Sequence, residues 1–280
     1  MSFSWENEWR VQNLKEESFF TKHILDKTPK WVRFVRRKIP ISLQRTLESA
    51  FGKAFYMVFE KGTGLIEKTY KKDEQRHTYK SSSKKLKNEG FTAAGVRRFD
   101  RQAKNTIVKN LIISMFEGLA LGLGGMGIPD IPIFVSVMLK SIYEIAISFG
   151  FEYTSPEEKI FILKIIETSL KSGDELREKN KELNQLIEIM SEEDFKRAVK
   201  DKDNTDSAIT KDEEVLQLML KRQIDVSAEA LSKELLYGKF VQGKAIIGIV
   251  GGTNDVTCLK RITDYAVLKY KRRFLLKYKE

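Results

Sequence analysis

Cysteine and histidine are the scarcest chemistry-bearing residues in this 280-residue sequence. There is one cysteine, Cys258, and there are two histidines, His23 and His77. A single cysteine excludes an intramolecular disulfide and suits a reducing compartment. Neither histidine belongs to an H-E-x-x-H motif or lies near a cysteine pair, and no serine stands in G-x-S-x-G. The sequence therefore predicts no metal, no cofactor and no catalytic residue of these familiar classes.

The N-terminus lacks the apolar core of a secretory signal. Its first ten residues, MSFSWENEWR, mix acids, a base and tryptophans, whereas a signal peptide needs an uninterrupted apolar stretch. Apolar and charged residues make up 41% and 32% of the chain, which is the balance of a globular protein rather than a disordered one. We therefore expect a folded, cytoplasmic protein.

Long apolar runs are absent except in one stretch, residues 106–151. Two apolar segments of helix-like length are joined there by Pro129-Asp130-Ile131-Pro132. The prolines favour a turn because each fixes its own φ and restricts the residue before it. We predict an antiparallel helical hairpin. Since no other part of the chain is as apolar, the predicted fold class is all-α, a multi-helix domain built around this central hairpin.

Charged residues interrupt both arms of the predicted hairpin. Glu117 lies in the first arm, and Lys140 and Glu144 lie in the second. A charge at the centre of a bilayer costs about 3 kcal/mol, so we favour a soluble core or a shallow insertion over a membrane-spanning hairpin. Counting outward from the turn places the three charges within about one helical turn of each other. We predict a buried polar cluster in which Lys140 lies between the two glutamates.

The chain has a net charge of +11, and its positive charge is concentrated at the two ends. Residues 1–110 carry 25 basic and 12 acidic side chains, and residues 239–280 carry 10 and 3. Residues 151–238 are acidic, with 14 basic and 21 acidic side chains. Such polarity favours a negatively charged partner, either anionic lipid or nucleic acid.

The N-terminal basic segment combines cations with aromatic residues. We divide the chain into this segment, residues 1–44, and a helical domain, residues 45–280, in which the charged stretch 71–90 is expected to be a mobile loop. Cations interleaved with aromatics suit a membrane interface or a nucleic-acid surface, and also a solvated face with a few core residues. The predicted membrane-contact residues are Lys30, Trp31, Arg33, Phe34, Arg36, Arg37, Lys38, Arg272 and Arg273.

Two local patterns predict particular helices. Leu47, Phe51, Phe55 and Phe59 recur every four residues and form an apolar stripe that is typical of a core-facing helix. The segment Ser155-Pro156-Glu157-Glu158 predicts a helix start, because serine can cap, proline fits the first helical position and the second glutamate completes a capping box. Both helices are expected to contribute to the core.

Glycines cluster in two apolar stretches, and a nucleotide-binding interpretation of the first one fails. Residues 122–127 read GLGGMG, but a dinucleotide fingerprint needs a preceding strand and a helix that opens at its third glycine, whereas prolines follow here. Gly118 with Gly122, and Gly248 with Gly252, are pairs four residues apart. A glycine inside a helix costs about 1 kcal/mol relative to alanine, so these pairs favour close helix packing.

The glycine-rich turn and its surroundings resemble the bacterial EcsC family. The resemblance covers roughly residues 45–275, and one departure is Phe149, where tyrosine is expected before the glycine. It implies a helical protein with no established activity and no catalytic residue to carry over. The family is named for a gene beside that of an ABC transporter implicated in secretion, which implies a membrane-linked cytoplasmic role. The motif and packing residues are Gly118, Gly122, Gly124, Gly127, Pro129, Asp130, Gly150, Gly248, Gly252 and Asn254.

Three functions are open at this point. The first, which we predict, is a non-enzymatic protein that is peripheral on the cytoplasmic membrane face and binds anionic lipid or a transporter-linked membrane protein. The second is a hydrolase that uses carboxylates at the ends of the glycine-rich stretches, Asp130 or Asp255. Asp130 is also suited to be the N-cap of the second hairpin arm. The third, nucleic-acid binding, rests on charge alone.

Overall fold

The computed structural model describes residues 5–23, 39–68, 70–105, 107, 130–200, 210–241 and 253–279. Most of these residues are helical. The backbone alone is described for residues 61–63, 65, 130, 192–200, 210–212, 237–241 and 253–255. The described ranges contain no strand, and the predicted all-α fold class is confirmed. The first arm of the predicted hairpin lies outside them apart from Ile107, so the pairing of the two arms is not tested.

Within these ranges the helices are numbered in chain order. They are α1 (Trp5–His23), α2 (Ile41–Met57), α3 (Thr63–Glu67), α4 (Lys72–Glu89), α5 (residues 93–105), α6 (Asp130–Ser148), α7 (Pro156–Ser169), α8 (Gly173–Lys200), α9 (Thr210–Val241) and α10 (Thr253–Leu276). A π-helical turn, Val58–Gly62, joins α2 to α3. The predicted aromatic stripe runs along α2 into this turn, and all four of its side chains are buried.

The connection between α6 and α7 has the turn chemistry that its sequence specifies. Gly150 has a φ of 79°, and its N–H donates to the carbonyl of Ile147, while the N–H of Phe151 donates to the carbonyl of Ala146. This is a Schellman ending, which favours glycine because other residues strain at positive φ. A Cβ on Gly150 would lie 2.0 Å from Cζ of Tyr79. The glycine therefore also makes room for a side chain of α4.

α7 begins with Ser155 as its N-cap, as the sequence predicted. The N–H of Glu158 donates to Oγ of Ser155 over 3.3 Å, and Pro156 occupies the first turn. Most of the helix that follows is buried, and α8, α9 and α10 pack around it. Because a helix that is apolar on several sides must be covered on those sides, α7 becomes a central helix of the described structure.

α6, the second arm of the predicted hairpin, is the other central helix. It packs against α2, α4 and α10, and residues 141–147 are buried without interruption. Among the described helices, α6 alone is long and apolar enough by length and composition to cross a membrane. In its window Ile131–Ser148, 72% is buried inside the protein. Core helices of soluble proteins pass the same test, and in the described structure α6 is part of the core.

The stretch 71–90, predicted as a mobile loop, is the helix α4, so that prediction was wrong. Its lysines, glutamates and glutamine are good helix formers. Its two large apolar side chains, Tyr79 and Leu86, lie seven residues apart on one side and pack inward. Gly90, with a φ of 80°, follows the helix end. A charged, serine-rich stretch can therefore form a helix when its few apolar residues share one face.

α1 brings the two ends of the chain together. Nε1 of Trp5 donates to the carbonyl of Leu275 over 2.7 Å, and Nε2 of Gln12 donates to the carbonyl of Leu268 over 2.8 Å. Since the contact partners run backward along α10 as the chain runs forward along α1, the two helices are antiparallel. A helix from the predicted N-terminal segment is thus bound to the predicted helical domain. The boundary at residue 44 itself stays a prediction.

Candidate functional site

α4 and α5 form a short antiparallel helical hairpin. Nε2 of Gln102 donates to the carbonyl of Gln75 over 3.3 Å. Near the turn, Leu86 packs so closely on Gly95 that a Cβ at residue 95 would lie 2.5 Å from its Cδ1. Glycine at this position therefore lets the two helices approach each other. Each helix keeps one side exposed to solvent.

The exposed side of this hairpin carries cations in two stripes. Three cations on α4 and three on α5 follow the spacing i, i+4, i+7. Because 3.6 residues make one turn, this spacing places each set on one side of its helix. A seventh cation is also exposed on α4. We call the seven residues the cationic patch: Lys80, Lys84, Lys85, Lys87, Arg97, Arg101 and Lys104.

Little acidic charge lies near the cationic patch. Residues 71–105 carry eleven lysines and arginines and only four acids. Glu89 lies 3.7 Å from Arg98, and Asp100 lies 2.8 Å from Lys271, so two of these acids are engaged with cations outside the patch. In the part of the chain that the structure describes, no patch residue forms an ion pair. The patch therefore presents uncompensated positive charge.

Aromatic contacts fix the hairpin to the end of α10. The hydroxyl of Tyr278 lies 3.1 Å from that of Ser83, and the ring of Tyr278 lies 5.8 Å from that of Phe91. The ring of Phe274 lies 4.7 Å from that of Phe99. The cationic patch is thus displayed on helices whose inner faces are packed, and its orientation is set by the core.

Arg273, predicted to contact a membrane, is buried. Its Nη1 lies 2.6 Å from Oε2 of Glu158, and its guanidinium lies 4.3 Å from the ring of Phe151. Tyr270 donates to the same carboxylate over 3.1 Å, and burial raises the pKa of this tyrosine, so its hydroxyl stays protonated. An arginine that is 4% exposed and paired inside the protein does not reach lipid head groups. The prediction for Arg273 was wrong.

Arg272 is also engaged inside the protein. Its guanidinium lies 4.4 Å from the ring of Trp9, and Nη1 lies 3.4 Å from Oε1 of Glu16. Its side chain is 12% exposed. While α1 occupies this position, its side chains cover Arg272, and the membrane contact expected of this residue stays a prediction. Local sequence suggests an exposed arginine here because its acidic partner, Glu16, lies near the other end of the chain.

Lys269 pairs with the same glutamate. Its Nζ lies 2.9 Å from Oε2 of Glu16 and 2.8 Å from Oδ1 of Asn184. Burial lowers the pKa of Lys269 to about 8, outweighing the carboxylate, which still leaves the ammonium mostly protonated at neutral pH. Burial raises the pKa of Glu16, but the positive charges of Lys269 and Arg272 lower it by more, so the net shift of this pKa is downward. Both partners are therefore charged in the folded protein near neutral pH.

Comparison with known protein families bears on this helical arrangement. The model of the EcsC protein family matches residues 6–275. The chain belongs to the EcsC protein family. The match begins at residue 6 and thus includes α1, which the resemblance read from the sequence did not reach.

This EcsC-family chain is similar to Protein EcsC of Bacillus subtilis (strain 168). The two sequences are 26% identical over 169 residues, which are 60% of this chain and 61% of that protein. The alignment therefore spans less than two thirds of the relative. No solved structure matches the chain. Membership of the family assigns the chain no activity, substrate or partner.

Most residues that carried the resemblance to the EcsC family lie outside the described residues. Asp130 and Asn254, near the starts of α6 and α10, are described by their backbone alone, as is Asp255. Neither the cap nor the catalytic role of Asp130 is therefore tested, and the hydrolase alternative stays a hypothesis. Gly150 is described, and its positive φ and its contact with Tyr79 account for it. The motif residues that lie outside the described residues are Gly118, Gly122, Gly124, Gly127, Pro129, Gly248 and Gly252.

The predicted membrane-contact residues are not tested as a set by the described structure. The members from Lys30 to Lys38 lie outside the described residues, and the two arginines of α10 are engaged internally. The cationic patch was not predicted, because residues 71–90 were expected to be a loop. The signal was available in the sequence as cations at the spacing i, i+4, i+7.

The predicted polar cluster is described only in part. Glu117 lies outside the described residues. Glu144 is buried, and its Oε1 accepts a hydrogen bond from Nε2 of Gln75 over 2.9 Å. Lys140 is partly exposed on α6. The position of Lys140 between two glutamates stays a prediction, while the contact of Glu144 with α4 is a finding that the sequence did not suggest.

A groove of about 520 Å³ lies between α2 and α9. Its lining includes Arg45 and Lys53 from α2 and Asp225 and Glu229 from α9, together with Gly52. The groove is lined by charges of both signs and by no histidine or cysteine, so its lining indicates no particular chemistry. Among the described residues there is no group of three or more histidines, cysteines or acids that could hold a metal ion.

His23 ends α1 in a half-buried position. Its ring lies 4.6 Å from that of Phe19. Burial, with Arg261 and Lys22 nearby, lowers the pKa of His23 from its ordinary 6.5 to about 4. The imidazole is therefore neutral in the folded protein at neutral pH.

Acidification should destabilise the protein through His23. Between about pH 6.5 and about pH 4 the unfolded chain binds a proton at this residue and the folded protein does not, so the free energy of unfolding falls as the pH falls. Urea unfolding at about pH 7 and about pH 5 measures the difference, and a His23→Asn protein should lose part of it. His77→Asn, at the exposed histidine of α4, is the control and should keep all of it. Identical behaviour of the two variants would contradict the assignment.

Proposed function

We propose that this EcsC-family protein is a non-enzymatic, peripheral protein that binds the anionic surface of the cytoplasmic membrane through the cationic patch. The observation that supports it is the patch itself, seven exposed cations on one helical hairpin without ion-pair partners among the described residues. The sequence of residues 30–38, with Trp31 and Phe34, also combines cations with aromatic residues of the kind found at membrane interfaces.

The expected strength follows from the charges. A lysine or arginine close to an anionic membrane contributes about 1 kcal/mol, and the contribution fades within a Debye length of about 8 Å at physiological ionic strength. Four or five patch residues in contact would therefore contribute about 4–5 kcal/mol. Because the patch lies on packed helices, little backbone order has to be gained on binding.

Nucleic acid and acidic membrane proteins are negatively charged, as an anionic membrane is, so charge alone does not distinguish these partners. The aromatic residues of the N-terminal basic segment favour a lipid interface over a nucleic-acid backbone, because tryptophan partitions to the membrane surface. The EcsC resemblance, which implies a membrane-linked role, points the same way. Lipid is therefore the partner to test first, and nucleic acid is an outcome that the test can show.

Sedimentation with vesicles tests the proposal. The purified protein should sediment with vesicles that contain phosphatidylglycerol and remain in the supernatant with pure phosphatidylcholine. Raising the salt from about 0.1 M to about 1 M shortens the Debye length from about 10 Å to about 3 Å, so it should release most of the bound protein. Equal binding to both vesicle types would contradict an electrostatic contact. Absence of binding to either, with salt-sensitive binding to duplex DNA, would favour the nucleic-acid alternative.

A further inference from the structure

α1 is held on α10 by a polar seam. Glu8, Gln12 and Glu16 recur every four residues, so they share one side of α1, and all three are buried. A surface helix of a soluble protein normally turns apolar residues to the core instead. Buried apolar residues occur at the other end of α1, where Phe19 and Phe20 pack inward. The seam and the apolar anchor thus occupy different parts of the helix.

Each glutamate of the seam is paired with cations of α10. Oε2 of Glu8 lies 3.1 Å from Nζ of Lys271. Glu16 lies 2.9 Å from Lys269 and 3.4 Å from Arg272. The side chains of the two lysines are 2% and 0% exposed. Two carboxylates of α1 therefore cover three cations of the C-terminal helix.

In a contact of this kind, an external anion can replace the glutamate carboxylates as the partner of the cations. A buried ion pair gains little over apolar packing, because both charges give up their hydration. An external anion that offers the same charge can take the place of the glutamates, whereas apolar contacts have no such competitor. Residues 5–16 are thus the part of α1 that an anionic surface can displace. Phe19 and Phe20 keep the end of the helix attached.

The covered cations adjoin the cationic patch. Asp100, which lies between Arg97 and Arg101 on α5, is 2.8 Å from Nζ of Lys271. Nζ of Lys15, on α1, lies 3.6 Å from the same carboxylate oxygen. A surface that engages the α5 stripe is therefore beside the seam, and the two sets of cations can form one continuous contact.

We propose that α1 is a displaceable cover over a second, latent lipid-binding site. On an anionic membrane, lipid phosphates replace Glu8 and Glu16 as partners of Lys269, Lys271 and Arg272, and the first turns of α1 leave α10. The site takes the phosphate of an anionic phospholipid head group. This inference rests on the proposed membrane binding and deepens it, because the patch makes the first contact and the uncovered cations strengthen it.

The released stretch has residues that suit its new surroundings. Trp5 and Trp9 stack on each other at 5.1 Å, and Trp9 also covers the guanidinium of Arg272. Tryptophan is favoured at the boundary between lipid and water. When α1 leaves α10, both rings can move to that boundary, and Arg272 is left open to a head group.

Hydrogen exchange of the wild-type protein tests this step. Amides of residues 5–16 should lose protection when phosphatidylglycerol vesicles are added, while amides of α7 should keep it. If the protein sediments with the vesicles but residues 5–16 stay protected, the displaceable cover is overturned and the membrane binding stands. If the protein does not bind the vesicles, both are overturned.

Paired substitutions provide a second test with a matched control. Glu8→Gln with Glu16→Gln removes two seam charges, and Glu6→Gln with Glu188→Gln makes the same charge change at exposed sites on α1 and α8. The seam variant should bind phosphatidylglycerol vesicles at least about fivefold more tightly than the control, the gain expected from one uncovered cation. Equal affinities would overturn the proposal. Deprotection of residues 5–16 by inorganic phosphate without vesicles would overturn the assignment to lipid.

Discussion

Replacing Arg273 with methionine should lower the free energy of unfolding by about 3–5 kcal/mol, because Glu158 would remain buried and charged without its main partner. Arg273 connects α10 to α7, and its guanidinium packs on Phe151. Methionine keeps much of the apolar stem, so lost charge pairing rather than lost volume accounts for most of the effect. Urea unfolding followed by circular dichroism gives the value.

Two further variants separate this explanation from a general loss of charge. Adding Glu158→Gln to Arg273→Met removes the orphaned charge and keeps an acceptor for Tyr270, so the double variant should be more stable than the single one. Arg222→Met, at an exposed site on α9, should change stability by less than about 0.5 kcal/mol. An Arg273→Met protein with wild-type stability and weakened vesicle binding would instead restore the membrane-contact role predicted from the sequence.

Elements with strong local signals could be predicted from the sequence. The stripe from Leu47 to Phe59 indicated a buried helix because its period matched the helical turn. Ser155 indicated a helix start because its hydroxyl can accept a hydrogen bond from a backbone N–H of the first turn, here that of Glu158. The apolar composition of α6 indicated a core helix. In each case the residues that determine the structure lie within a few turns of each other.

Two features could not be predicted in this way: the helical structure of α4 and the burial of the basic residues of α10. α4 has few apolar side chains, and its packing depends on a glycine at residue 150 that accommodates Tyr79. The basic residues of α10 are buried because acids on α1, α5 and α7 meet them, and local sequence contains no sign of those partners. The candidate site moved from the C-terminal helix to the cationic patch for this reason. The patch could have been recognised from its cation spacing once α4 and α5 were known to be helices.

The proposed contact makes the three lysines of the α4 stripe the most consequential surface residues for binding. Lys80→Gln, Lys84→Gln and Lys87→Gln together remove three exposed charges, and glutamine preserves helix propensity. At about 1 kcal/mol for each cation near an anionic surface, the loss is about 3 kcal/mol, which is about a hundredfold in affinity. Stability should hardly change, because none of these side chains is buried or paired among the described residues.

The affinity of this triple variant for phosphatidylglycerol vesicles, relative to a matched control, tests the membrane proposal most directly. The control replaces Lys181, Lys221 and Arg222 with glutamine, which changes the net charge equally at exposed sites on α8 and α9. We predict a loss of about a hundredfold for the α4 variant and of less than about fivefold for the control. Equal losses would show that net charge rather than the cationic patch governs binding, and wild-type affinity of the α4 variant would contradict the proposed contact.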